Sequence, residues 1–488
     1  MRGLPQSSRH TGLLRNDQRS ISFNRIAVKS ASPSPNVLFV VFDDLNTNTG
    51  FLGDRAAKTP HLDRFAQRAT SLTNAHCAIA VCNPSRAALL TGQPPWVTGV
   101  WRQQQDQLRE CCPAAMTIPE FFKEAGYLSV GAGKVFDSAK PDPQSWDRYL
   151  FWDPEAESNQ GVERYYDSPA PLPPKRPATV YAEKYGSNID FGPIDTDSES
   201  MPDHKVVSQA GAFLQETPEQ PFFLGVGLHK PHLPWYLPQK YFDAFPLDEI
   251  EMPFAPADDL DDVPAAGRKL VEERGGSSFT RFPEVVAHGD EKRWVQAYRA
   301  SVMFADEEFG RLIDALDASP HADNTIVVVT SDHGFHLGQK QHLHKLTLWD
   351  NATRVPMLVR LPQQEGALVR DEVVSLLDVF PTLIDLAALP KTGSPALAGH
   401  SLRPLLESAN PVSWPHGVIN SVSPYDHSLR TSRWRFTRYA DGSEELYDLR
   451  DDPHELHNLA GDKSHHEKMQ IFRSRLVRQL EWSPQRSG

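Results

Sequence analysis

Cysteine is scarce in this 488-residue chain, with only Cys77, Cys82, Cys111 and Cys112. Four cysteines in this length make no disulfide framework, and a bridge between the adjacent Cys111 and Cys112 would be strained. No C-x-x-C spacing occurs, so no cysteine-based zinc site is expected. Long apolar runs are also missing. None approaches the roughly 20 residues needed to cross a bilayer, so no membrane partner is expected. Positive charge is in deficit: 50 Lys and Arg against 63 Asp and Glu give a net charge of −13. That balance argues against nucleic acid as a partner and against long-range steering of a polyanion. An anionic substrate would have to be captured by local cations. No internal repeats occur.

The first 34 residues are the exception in charge, with Arg2, Arg9, Arg15, Arg19, Arg25 and Lys29 against Asp17 alone. The roughly 7–15-residue apolar core of a secretory signal does not follow them. A basic, disordered arm over 1–34 is expected, and the compartment is left open. The rest is long enough for a large domain and a smaller one, taken as 35–400 and 401–488. Forty-one prolines point to long ordered loops over a scaffold.

Asn36-Val37-Leu38-Phe39-Val40-Val41-Phe42 is a continuous apolar run ending in Asp43-Asp44, as expected of a strand buried on both faces of a parallel sheet. Thr325 to Thr330 repeats the pattern and ends in Ser331-Asp332-His333-Gly334. Pro221 to Gly227 precedes His229, and Tyr127 to Val130 precedes Gly133-Lys134. In open α/β sheets ligands bind beyond the carboxyl ends of the strands. Asp43, Asp44, Lys134, His229, Asp332 and His333 are therefore predicted to converge, although each alone could simply cap a helix. Thr59-Pro60 predicts a helix over His61 to Thr70. The Pro-, Asp- and Ser-rich stretches 138–205 and 246–290 read as pocket walls, with Trp146, Tyr149, Trp152, Tyr165 and Tyr166 in the first. Beyond residue 400, Val418–Val422, Trp434–Tyr439 and Glu445–Leu449 look like short strands, with a turn at Asp441-Gly442. A final helix is expected over Ser464 to Trp482.

The most informative segment is Cys82-Asn83-Pro84-Ser85-Arg86-Ala87-Ala88-Leu89-Leu90-Thr91-Gly92. Pro84 suits the first turn of a helix and Gly92 its end. Cys82 then sits where free N–H groups and the helix dipole favour an anion. Arg86, one turn on, offers a planar donor fork for oxyanions. A buried, inert cysteine ahead of an ordinary helix is the plainer alternative.

The segment resembles the signature of type I sulfatases, C-x-P-S-R followed by a short helix and T-G. The likeness extends from about Val37 to Leu459 and includes Leu446-Tyr447-Asp448-Leu449 with Asp452-Pro453. It implies an alkaline-phosphatase-like α/β domain, with a mixed, mostly parallel sheet between helices and a smaller C-terminal α+β domain with an antiparallel sheet. It further implies a sulfuric ester hydrolase in which Cys82 is oxidised to formylglycine by a maturation enzyme. Asp43, Asp44, Asp332 and His333 would hold Ca²⁺ beside the modified Cys82. Lys134 and Lys345 would bind sulfate oxygens, Arg86 would order the nucleophile region, and His229 would protonate the leaving oxygen. Family resemblance also implies a periplasmic or secreted protein.

Within the family the likeness runs to iduronate-2-sulfatases and their bacterial relatives. It is carried by Phe222 to Pro234, by Gly133-Lys134-Val135-Phe136, and by Ser331 to Gly334 with Lys345 downstream. A sulfated saccharide, first a uronate 2-sulfate, is the implied substrate, with Lys230, His232 and Lys340 as candidates to meet a sugar carboxylate. A phosphate or phosphonate ester hydrolase and a non-catalytic sulfated-glycan binder are the alternatives. One position departs from these relatives: Asp137 stands where they have a histidine that takes the hydrate's proton. Either Asp137 is the base with a raised pKa, or substrate geometry and turnover differ. His336, His342 and His344 are read as solvated or supporting groups rather than as a zinc cluster.

Overall fold

The computed structural model describes residues 34–103, 106–137, 142–150, 180–185, 189–273, 280–390 and 395–483. Residues 1–33 of the expected arm, and Trp152, Tyr165 and Tyr166 of the expected pocket wall, lie outside the described residues.

Eight strands make the main sheet: β1 (Asn36–Asp43), β2 (Thr70–Leu72), β3 (Leu128–Gly133), β4 (Arg148–Leu150), β5 (Phe222–Pro231), β6 (Thr325–Ser331), β7 (Met357–Arg360) and β8 (Leu368–Arg370). Their order is β8-β2-β7-β6-β1-β5-β3-β4. Only β7 runs against the rest. Side chains alternate across the sheet, so the unbroken apolar run of β1 feeds two cores. Leu38, Val40 and Phe42 join one, with α2 (Pro202–Leu214) and α3 (Glu291–Asp317); Val37, Phe39 and Val41 join the other, with α1 (Cys82–Thr91). Both faces are thus covered, and polar groups of the central strands can reach water or ligand only at the strand ends.

A second sheet comprises the antiparallel strands β9 (Val418–Ser421), β10 (His427–Arg430), β11 (Trp434–Arg438) and β12 (Glu444–Asp448). Helix α4 (His466–Leu480) covers it through Met469, Phe472 and Leu476 against Leu429, Phe436 and Leu446. Gly442 takes the left-handed conformation (φ 85°) that the β11–β12 turn requires. The sheet abuts the segment ahead of Cys82: Ser421 N–H donates to the Ala78 carbonyl at 2.8 Å, and Asn420 Nδ2 donates to the Cys77 carbonyl at 2.6 Å.

Several local expectations differ from the structure. The helix after Thr59 ends at Ala66, and Thr70 opens β2 instead. Thr59 stands at the N-cap position and its carbonyl accepts from Asp63 N–H at 3.0 Å, but its hydroxyl makes no cap bond; it accepts from Gly50 N–H and donates to the Asp63 carboxylate. His229 lies inside β5 rather than after it. The stretch 246–290 contains the helices Ala265–Glu273 and Phe282–Ala287. Trp146 is core rather than pocket wall, packed among Phe136, Tyr149 and Phe223. Strand β10 has no apolar alternation to announce it.

Candidate active site

Helix α1 begins at Cys82 after an extended Val81 (φ −158°) and ends at Gly92 (φ 61°). Pro84 falls in its first turn, as its missing N–H allows. Ser85 donates its hydroxyl to the Asp332 carbonyl at 2.5 Å, fastening the helix start to the end of β6. Cys82 is only 1% exposed. Its Sγ lies 3.3 Å from Asp43 Oδ1, 3.3 Å from His333 Nε2 and 3.1 Å from Lys345 Nζ. Burial and the Asp43 carboxylate push the thiol well above its ordinary pKa, outweighing Lys345 and Lys134. As a plain cysteine it is therefore protonated and a poor nucleophile.

The six residues predicted to converge do so. Asp43 ends β1, and Asp44 comes next with φ 65°, a left-handed residue at a crowded strand end. Asp44 N–H and His333 N–H both donate to Asp332 Oδ1, at 3.2 and 2.9 Å. Lys134 is brought in by a close approach of two glycine-bearing strands. A Cβ on Gly227 would lie 1.9 Å from the Lys134 carbonyl carbon, and Gly133 has φ 68°. The Lys134 ammonium bonds to Asp43 Oδ2, and that of Lys345 to Asp44 Oδ1 at 2.6 Å.

Arg86 is wholly buried. It donates to Asp332 Oδ2 at 2.9 Å and to the carbonyls of Lys134, Val135 and Phe42, and lies 3.6 Å from Asp43. Its planar fork joins the ends of β1, β3 and β6. Burial alone would raise the Asp43 carboxyl, but Lys134, His232, Arg86 and Lys345 together hold it well below the usual range. Burial wins at Asp332, whose carboxyl is raised despite His333 and Arg86.

Donor atoms of Asp43, Cys82, Asp332 and His333 all lie within 4.8 Å of one another, and so do those of Asp43, Asp44, Cys82 and His232. Buried carboxylate oxygens in this number suit a hard divalent cation. The residues present fit such an ion.

His229 Nδ1 stands 3.9 Å from Asp43 Oδ2, and His232 Nε2 the same distance from Asp44 Oδ2. Burial, with the neighbouring His232, Lys230 and Lys134 charges, pushes the His229 pKa well below its ordinary value. Asp137 is buried at the edge of the centre. Its Oδ1 accepts from Gln103 Nε2 at 2.9 Å and lies 3.8 Å from Lys134 Nζ. Gln103 also accepts from Asn83 N–H at 2.9 Å, so it ties Asp137 to the first turn of α1. Nothing in the sequence announces that link.

Two of the three candidates for a sugar carboxylate are engaged elsewhere. Lys340 Nζ donates to Asp259 at 2.6 Å and to the Glu455 carbonyl, and Lys230 Nζ donates to the carbonyls of His232 and Pro234. His232 alone of the three faces the carboxylates of the centre. His336, His342 and His344 are buried supports: His342 bonds to the Lys345 carbonyl at 2.9 Å, His344 to that of Thr280 at 3.2 Å, and His336 to Thr347 at 2.7 Å. They brace a loop in which Lys340, Gln341, His344 and Leu346 all have positive φ.

A covered, mostly parallel sheet with cations and carboxylates gathered around a helix-opening cysteine suits the binding of an oxyanion at the strand ends. The chain belongs to the sulfatase family, whose family model, described as Sulfatase, matches residues 35–389. It is therefore a sulfuric ester hydrolase. A second family, described as N-sulphoglucosamine sulphohydrolase, C-terminal, matches residues 338–481. A sulfatase of Formosa agariphila is 33% identical over 92% of this chain and 87% of its own length. Iduronate 2-sulfatase of Mus musculus is 27% identical over 89% of this chain and 92% of its own. Among solved structures, the phosphonate monoester hydrolase of Silicibacter pomeroyi shares the fold, with a TM-score of 0.72 and 22% identity over 91% of this chain and 94% of that one.

Proposed function

We propose that this sulfatase hydrolyses sulfate esters on a sulfated carbohydrate, with a uronate 2-sulfate as the first candidate, through a formylglycine made from Cys82. The observation that carries the reading is the placement of Cys82 Sγ, buried between Lys345, Asp43 and His333 at 3.1–3.3 Å. A thiol held protonated there is a poor reagent, whereas a hydrated aldehyde at the same position has two hydroxyls to use. The sugar part rests on the similarity to the mouse iduronate 2-sulfatase.

In this reading Asp43, Asp44, Asp332, His333 and the modified Cys82 would hold a divalent cation, taken as Ca²⁺. When bound, the ion supplies Lewis-acid polarisation of the hydrate and of the sulfate oxygens. Lys134 and Lys345 donate to sulfate oxygens, and Arg86 keeps Asp332 and Asp43 in place. His229 gives its proton to the departing sugar oxygen. The negative charge of a bound sulfate ester, set against the lysines, raises the proton affinity that burial depresses. Asp137, oriented by Gln103, accepts a proton from the hydrate. His232 is the group offered to a sugar carboxylate. The maturation enzyme has to meet the chain before it folds, since Cys82 is 1% exposed.

The test has two parts. The tryptic peptide containing Cys82, taken from protein made with a maturation enzyme, should weigh about 18 Da less than the thiol form, opposite in sign to oxidation to sulfenic, sulfinic or sulfonic acid. Sulfate release is then measured on disaccharides sulfated at different positions. Preference for a uronate 2-sulfate supports the full reading, and preference for another sugar sulfate corrects the substrate. Conversion with turnover only of phosphorus esters overturns it.

A further inference from the structure

Strand β5 departs from regular pairing at the point where it delivers His229. Against β1 the register runs Val41 to Gly227 and Phe42 to Leu228, then jumps to Asp43 opposite Pro231. His229 and Lys230 therefore lie in a bulge with no residue of β1 opposite them. On its other side, the pairing of β5 with β3 has already ended at Gly133 opposite Gly227. A bulge of this kind turns a side chain out of the sheet's alternation, here leaving the His229 ring 3.9 Å from Asp43. It also strips two buried backbone N–H groups of ladder partners, which is costly unless something else accepts them.

That acceptor is Asp203. Its Oδ1 accepts from His229 N–H at 2.9 Å and its Oδ2 from Lys230 N–H at 2.8 Å. Asp203 is 1% exposed and sits in the first turn of α2, where an acid ordinarily serves its own helix. Here both oxygens are turned to the strand instead. The pair of charge-assisted bonds holds two consecutive peptides in one orientation, as a single acceptor could not.

We propose that Asp203 is a positioning residue for His229, holding the β5 bulge so that the imidazole meets the leaving oxygen. The inference rests on the proposed role of His229 as proton donor. Asn in place of Asp203 keeps the volume and one acceptor but removes the negative charge and turns an amide N–H₂ toward the second peptide N–H, so the bulge would lose half of its clamp. The penalty should then be greatest where the departing alcohol most needs a proton.

The experiment uses the matured, calcium-loaded enzyme and three variants: Asp203→Asn, His229→Ala and the double variant. Each is assayed on aryl sulfates whose phenols span a wide range of acidity, and on a sulfated sugar. The expected result is that His229→Ala loses more kcat as the leaving alcohol becomes less acidic, on the order of 10²-fold or more on the sugar. Asp203→Asn should show the same trend at smaller amplitude, with KM little changed, and should add nothing in the His229→Ala background. If His229→Ala shows the trend but Asp203→Asn slows all substrates equally, or multiplies the loss in the double variant, Asp203 is not acting through His229. If His229→Ala shows no leaving-group trend, the proton-donor reading itself falls and takes this inference with it. Should Asp203→Asn fail to fold, Asp203→Ser is read the same way. Failure of both to fold would assign Asp203 a purely structural role.

Discussion

The ammonium of Lys345 donates to the sulfur of Cys82 at 3.1 Å and to a carboxylate oxygen of Asp44 at 2.6 Å. One cation thus spans the reacting position and the acidic cluster behind it. Lys345→Met is expected to lower kcat/KM by about 10²-fold or more, as loss of an oxyanion-stabilising donor does. In metal-free protein it also leaves Asp44 buried beside Asp43 with one less counter-charge, at a cost of about 3–5 kcal/mol. Steady-state kinetics and thermal unfolding in chelator check the two effects separately. Unchanged kinetics would remove Lys345 from sulfate binding.

Chelation should abolish sulfate release and lower the unfolding temperature without unfolding the protein at room temperature. Restoring Ca²⁺ to about 100 times its dissociation constant should return about 2.7 kcal/mol of stability. Asp332→Asn should weaken that response, and a calcium titration followed by thermal melting measures it. A melting curve indifferent to calcium in the parent protein would argue against the ion assignment.

Asp137→Asn keeps a partner for Gln103 but cannot take a proton. It is expected to reduce kcat by about 10²-fold with a smaller change in KM. Asp137→His should recover part of the loss. An Asn variant as fast as the parent would exclude Asp137 from proton transfer.

Away from the centre, burial pushes the Asp378 carboxyl up to about 7, although Ser375 N–H and His400 N–H donate to it at 2.8 and 2.7 Å. The folded-state value exceeds the ordinary 3.8, so the native state binds this proton more tightly than the unfolded chain. Stability from this group is full below about pH 4 and is lost as pH rises toward about 7, at no more than about 1.4 kcal/mol per pH unit. Asp378→Asn should remove that slope. Denaturant midpoints of parent and variant across this range give the difference, and parallel curves would contradict it.

Much of the centre is legible because its residues follow apolar runs of strand length. Val37 to Phe42 has the length and β-branched and aromatic content of a doubly covered strand, and the polar residues at the end of such a strand stand at the sheet's edge. Asp43, Asp332 and Lys134 were found that way. Arg86 and Cys82 were found by motif, and the structure adds that Arg86 binds three carbonyls as well as two carboxylates. Gln103 and Asp203 were not found. Their roles come from where a loop and a helix start happen to pass, and Met201-Pro202-Asp203 reads as an ordinary helix opening. Lys340 misled for the opposite reason: its charge suggested substrate, while its neighbours Asp259, Trp349 and Tyr447 make it part of the interior. The helix expected over His61–Thr70 stops at Ala66 because Thr70 is equally at home in a strand and pairs there with Val359.

Asp43, Asp44, Asp332 and Asp137 face Arg86, Lys134 and Lys345, four acids against three bases in one buried cluster. Such a cluster is close to electrical balance before any guest arrives. A dication then leaves the cavity positive, and an anionic ester restores much of the balance. Ion and substrate should therefore each tighten the other's hold, an energetic reciprocity that lets an acidic protein draw in an acidic molecule.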